Sequence, residues 1–170
     1  WLDRWPGIQE RLRRPGKAAV LGTAPFWDER TGRLFNRAPM LSADGARHQD
    51  KLHLTPWEVA FSPGESLRLW KTGGLTIAVL ICLDIEVPEV AALLRGRGVE
   101  LILVPSATET GLGVERVGRC ASARAVELGC CVGVAHLVGK AESELIDDHV
   151  GRVAFYTPSQ EPFGGSARCV

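Results

Sequence analysis

At about 150 residues per domain, the 170-residue chain accommodates one domain and at most a piece of a second. Its 20 Lys plus Arg balance 20 Asp plus Glu for a formal net charge of zero, which argues against nucleic-acid binding and against a polybasic membrane-surface segment. With 45% hydrophobic and 24% charged residues the chain reads as a folded, soluble domain rather than a disordered one, and no apolar run is long enough to span a bilayer.

Trp5 to Arg14 is predicted to form a short helix stopped by Pro15-Gly16. Lys17 to Gly22 reads as an apolar strand, Thr23 to Arg33 as a hairpin-like loop and Leu34 to Leu41 as a returning strand, with a turn at Asp44-Gly45. The second half is more regular. Gly73-Gly74 precedes a buried strand over Leu75 to Ile81. Pro88 opens a helix with Val90, Leu93 and Leu94 on one face, ended by Gly96 and Gly98. A strand over Val99 to Val104 is closed by Pro105, and the polar segment Ser106 to Gly113 leads into a helix carrying Val114, Val117, Ala121, Ala125 and Leu128, with Gly129 at its C′ position. Cys130 to Val138 is a third strand, and Lys140 to Val150 the most polar loop. Alternating strands and helices predict an α/β architecture with a helix-covered, mixed sheet. The chain opens at Trp1 without Met and closes at Cys169-Val170 on what reads as a starting strand, so an interior stretch of a longer protein is expected.

The five cysteines, Cys82, Cys120, Cys130, Cys131 and Cys169, are odd in number and contain no CxxC, which argues for reduced thiols in a cytoplasmic protein. The four histidines have no metal-ligand spacing, so no metal is expected. Gly111 to Arg116 lacks the third glycine of a dinucleotide fingerprint, so no nucleotide cofactor is expected either. Cys82 stands apart, between a buried strand and a helix, in the position of the serine elbow of α/β-hydrolases. Such a turn lifts one side chain off the sheet edge and aims the following N–H groups at it. A cysteine ending an apolar strand is also a common core residue, and both readings stay open on Cys82 alone. Cys120, Cys130 and Cys131 read as packing residues. Lys51 and Glu58, seven residues apart around Pro56, are either two solvated side chains or a pair folded back on itself. Asp84 is expected to cap the helix after Cys82, and Arg124 with Glu127 to form a polar network in the helix layer.

Taken in order, KLHLTPWE, FSPGESLRLW, LTIAVLICLDIEVPE, VELILVPSATET and RCASARAVE resemble the nitrilase superfamily of carbon–nitrogen hydrolases, from about Ala18 to Phe163. TPWE, RVGRC and the late AFYTPSQEPF resemble a branch sometimes fused to an acetyltransferase domain. The resemblance implies an αββα-sandwich, incomplete at both ends here, with residues 1–170 forming part of a single domain. It implies that Cys82 is the nucleophile, Lys51 the catalytic lysine, Glu58 the glutamate that holds it, and the Leu83 N–H the oxyanion donor. Ser106, Ala107, Thr108 and Glu109 would line the substrate pocket. The family's general-base glutamate has no match in this chain and is expected upstream. The implied reaction is thiol-dependent hydrolysis of a small amide or ureido compound, less readily a nitrile, through a Cys82 thioester, in a homodimer or higher homo-oligomer. A non-catalytic scaffold or regulatory subunit, and a redox-sensing Cys82, are the other readings.

Overall fold

In the computed structural model of the chain the described residues are 17–42, 45–140, 148–163 and 168–169, together with Gly7, Glu10 and Arg11. The helix expected over Trp5 to Arg14 falls largely outside them, although Gly7, Glu10 and Arg11 are helical. Residues 43–44 and 141–147 also lie outside.

Two sheets form the body. In the small sheet, the long strand β3 (Arg33–Ser42) is flanked on one edge by β1 (Ala18–Val20) and β2 (Ala24–Asp28) and on the other by β4 (Gly45–Asp50), all antiparallel. β1 and β2 follow each other along β3 with a one-residue slip in register between them. Thr23 to Arg33 is therefore not mainly loop. Ala24–Asp28 pairs fully with β3 and only residues 29–32 turn, so Pro25 and Asp28 mark a hairpin edge strand, a place that tolerates proline.

The large sheet runs β12-β11-β8-β7-β6-β5. Its centre is β6 (Leu75–Val79), β7 (Leu101–Ser106) and β8 (Cys131–His136), which are mutually parallel. The outer strands β5 (Leu69–Thr72), β11 (Val153–Tyr156) and β12 (Arg168–Cys169) are antiparallel additions. Between β8 and β11, β9 (Gly139–Lys140) and β10 (Asp148–His149) pair with each other. β5 has no counterpart in the sequence reading. Gly73 and Gly74, both at positive φ (58° and 81°), are the two-residue turn joining it to β6, where the matching twist calls for residues without a Cβ. Pro105 does not close its strand. It lies within β7 opposite Ala135, and the ladder continues to Ser106 opposite His136.

Helix α1 (Pro88–Leu94) and helix α2 (Gly111–Leu128) cover one face of the large sheet, and the small sheet covers the other. The period-2 alternation of the central strands explains the sandwich. Ala78, Leu80, Ile102, Val104, Val132 and Val134 pack with Val90, Leu94, Val117, Ala121 and Ala125 of the helices. Val79, Ile81 and Leu103 point the opposite way, toward Ala38 and Met40 of β3. Leu93 departs from expectation: it is exposed, and Ala91 takes the buried position beside Val90 and Leu94. Thr110 caps α2 by accepting the Gly113 N–H at 3.2 Å, and Gly129 at φ 63° ends it in the left-handed conformation that favours glycine. Cys130 is buried among the aliphatic side chains, and burial pushes its thiol up to about 11.

Leu80 is 1% exposed between sheet and helices. Leu80→Ala is predicted to lower unfolding free energy by about 3 kcal/mol in urea titration, by lost burial plus cavity formation.

Candidate active site

Lys51 follows the last residue of β4. The preceding segment is fixed from several sides. Arg37 forks onto the Asp50 carboxylate at 2.6 and 2.9 Å, and its guanidinium lies 3.7 Å from the Phe26 ring centroid. The fully buried Gln49 donates to Asp50 and Ser66 carbonyls and accepts the Arg68 N–H. Lys51 continues the small sheet's pairing by donating its N–H to the Asn36 carbonyl at 2.9 Å and accepting from the Gly64 N–H at 2.7 Å. Gly64 is needed for this approach, because a Cβ there would stand 2.7 Å from the Asp50 carbonyl oxygen.

The Lys51 side chain is buried, and its Nζ donates to Glu58 Oε2 at 2.6 Å. Glu58 is saturated with donors. Oε2 also receives the Thr55 N–H at 2.8 Å and the Thr55 hydroxyl at 2.7 Å, and Oε1 receives the Asn36 amide at 2.8 Å. Burial alone would raise the Glu58 carboxyl, but these donors, led by Lys51, outweigh it and hold the group below its ordinary value. Thr55 to Glu58 has the spacing of a capping box, a signal that the sequence reading missed; nothing in the sequence around Asn36 marks it as a partner.

Cys82 begins the 3-10 turn Cys82–Glu86 directly after the β6 run. It has φ 50°, rare for a residue with a Cβ and a mark of a constrained elbow. The residue is half-buried, and its sulfur accepts from the Ser106 hydroxyl at 3.3 Å and lies 3.6 Å from the Ala107 carbonyl oxygen. Ser106, expected as pocket lining, thus touches the sulfur itself. Asp84 does not cap α1, whose N-cap is Val87 without a side-chain bond; from the third position of the Cys82–Glu86 turn it accepts the Ile81 N–H at 3.1 Å and also reaches the segment following Lys51. Arg124 bonds Glu127 at 2.7 Å and the Ile85 carbonyl at 3.3 Å, a structural link from α2 to the turn.

Lys51, Glu58, Cys82, Leu83 and the whole segment from Ser106 to Glu109 line one cleft where the two sheets meet. Lys51 and Glu58 are therefore not solvated surface residues. Of the other cleft carboxylates, Glu86 is paired with Arg116 and Glu109 is exposed; among the described residues no carboxylate bonds the Cys82 sulfur. No three His, Cys, Asp or Glu among them gather to hold a metal ion.

Two packed sheets, helices over the outer face of the larger one, and a cysteine elbow that shares one cleft with a buried lysine define an αββα-type hydrolase scaffold. The carbon-nitrogen hydrolase family matches residues 6–166, and the chain belongs to that family, within the nitrilase superfamily. The chain is 34% identical over 149 residues to "Probable hydrolase YhcX" of Bacillus subtilis, covering 85% of this chain and 29% of that protein. It is 32% identical over 160 residues to the (R)-stereoselective amidase of a Pseudomonas species, covering 87% and 56%. A variant of the Nesterenkonia sp. AN1 amidase, with the acetamide moiety of fluoroacetamide added covalently at its active-site cysteine, superposes with a TM-score of 0.74 at 27% identity, covering 92% of this chain and 58% of that one.

Glu58→Gln keeps the shape but removes the counter-charge of a buried ammonium. It is predicted to cost about 3 kcal/mol near neutral pH. Because the Glu58 carboxyl sits lower in the folded state than its unfolded value of 4.5, its contribution is present above that pH and lost as pH falls through the folded-state value. Urea unfolding of both proteins from about pH 7 to about pH 3 checks this through a gap that narrows on acidification.

Proposed function

We propose that the chain carries the nucleophile and the oxyanion-stabilising groups of an enzyme that hydrolyses the C–N bond of a small amide or ureido compound through a Cys82 thioester. One observation carries this reading: a buried ammonium, Lys51, held by Glu58, lines the same cleft as a cysteine raised on a positive-φ elbow.

The chemistry follows from the groups present. The Cys82 sulfur attacks the carbonyl carbon, and the C=O electrons move onto oxygen. Glu58 accepts a hydrogen bond from one Nζ–H of the Lys51 ammonium, and the other two N–H groups are available to that oxyanion. The Leu83 N–H, at the start of a turn whose first donors lack intrahelical acceptors, is the second stabiliser. One such donor is worth about 3 kcal/mol in the transition state. Collapse of the tetrahedral intermediate breaks the C–N bond, the amine leaves with a proton, and the acyl group stays on sulfur as a thioester. Water then adds, the C–S bond breaks, and the free acid and the thiol are regenerated. Proton transfers in both halves fall to a glutamate supplied from upstream of the segment that matches the family blocks, since Glu58 is fully engaged. Val20, Trp57, Phe61 and Leu103 give the cleft an apolar wall suited to a short acyl chain.

In the full-length protein, Cys82→Ala is predicted to abolish ammonia release from a panel of small amides and ureido compounds while leaving the melting temperature within a few degrees. Lys51→Met is predicted to lower kcat by about 100-fold or more. Amide turnover retained by Cys82→Ala overturns the proposal.

A further inference from the structure

Asp84 is fully buried two residues beyond Cys82. Its Oδ2 accepts the N–H of Ile81 at 3.1 Å and of Leu52 at 3.3 Å. Its Oδ1 accepts the N–H of His53 at 2.8 Å and lies 3.2 Å from His53 Nδ1. The donors belong to two distant stretches of chain. Ile81 immediately precedes Cys82 just past β6 of the large sheet, whereas Leu52 and His53 immediately follow Lys51 just past β4 of the small one. A cap needs only the donor from its own turn, so the two bonds to residues 52 and 53 lie outside that role. Burial pushes the Asp84 carboxyl upward despite these donors, a cost that a neutral Asn or Ser cap would not carry.

We infer that Asp84 is a positioning residue, whose carboxylate sets the Lys51 ammonium against the Cys82 sulfur by gripping the backbone after the one and before the other. The inference rests on the reading of Cys82 as nucleophile and Lys51 as its neighbouring cation. Asparagine at 84 would turn an N–H2 donor toward one of those N–H groups, and the repulsion would part the two segments. Displacements near 1 Å at reacting groups cost about 100-fold in rate.

The test is a double-mutant cycle read by alkylation, which needs no turnover. In the full-length protein, iodoacetamide labelling of Cys82 is followed by mass spectrometry, with half-buried Cys131 as the internal reference. A neighbouring cation favours the reactive thiolate, so Asp84→Asn and Lys51→Met are each expected to slow Cys82 labelling by about 10-fold and leave Cys131 unchanged. The double variant is expected to be no slower than Lys51→Met alone, because both changes remove one arrangement. His53→Ala, which deletes only the side-chain contact, is expected to slow labelling by about threefold and to have no effect in the Lys51→Met background; it decides the matter if Asp84→Asn does not fold. Labelling unchanged in Asp84→Asn, or effects that multiply in the double variant, overturns the inference. Wild-type labelling in Lys51→Met overturns the underlying reading of the site instead, and the inference with it.

Discussion

An ammonium that is 4% exposed is tolerable only with an anion in contact, and in this fold that anion is Glu58. The pair dictates the local chain path. Seven residues must double back for the two side chains to meet, Thr55 must donate twice to the same carboxylate, and Asn36 must reach it from β3. Gly64 must then lie close enough to donate to the Lys51 carbonyl, which leaves no room for a Cβ. The loop that separates the two sheets in sequence is thus organised around one charge. That charge faces the cleft into which the cysteine elbow projects.

The elbow depends on the large sheet in a comparable way. Three parallel strands end at the same side, and their carboxyl ends and the segments leaving them supply Cys82, Leu83 and the run from Ser106 to Glu109. This is the usual location of function in parallel α/β sheets, where strand ends present backbone and side chains to a common crevice. α2 braces the arrangement from behind, since Arg124 reaches the Ile85 carbonyl within the turn.

Much of this was legible in the sequence because periodicity and punctuation are strong signals in the second half. The runs at 75–81 and 99–104 and the apolar face of α2 carried their own spacing, and Gly129 marked the helix end. The small sheet was harder. Pro25 and Asp28 read as turn residues although they occupy an edge strand, and β5 is too short and polar to announce itself without its partner. The candidate residues Cys82, Lys51 and Glu58 stand out from motif order, but three roles come only with three dimensions. Asn36 and Ser106 act through contacts 22 and 24 residues away in sequence, which no local pattern encodes. Asp84 looked like a cap because its nearest donor is local; its bonds to residues 52 and 53 are created by the packing of one sheet on the other.

The packing of β3 on β6 and β7 through Ala38, Met40, Val79, Ile81 and Leu103 has a further meaning. The sulfur rides on one layer and the cation on the other, so the spacing between them is a property of how the layers slide. Trimming any of these five side chains would leave every polar group of the cleft in place, yet alter how the two halves of the proposed site meet. An aliphatic interface without a single reactive atom therefore serves as the molecule's ruler.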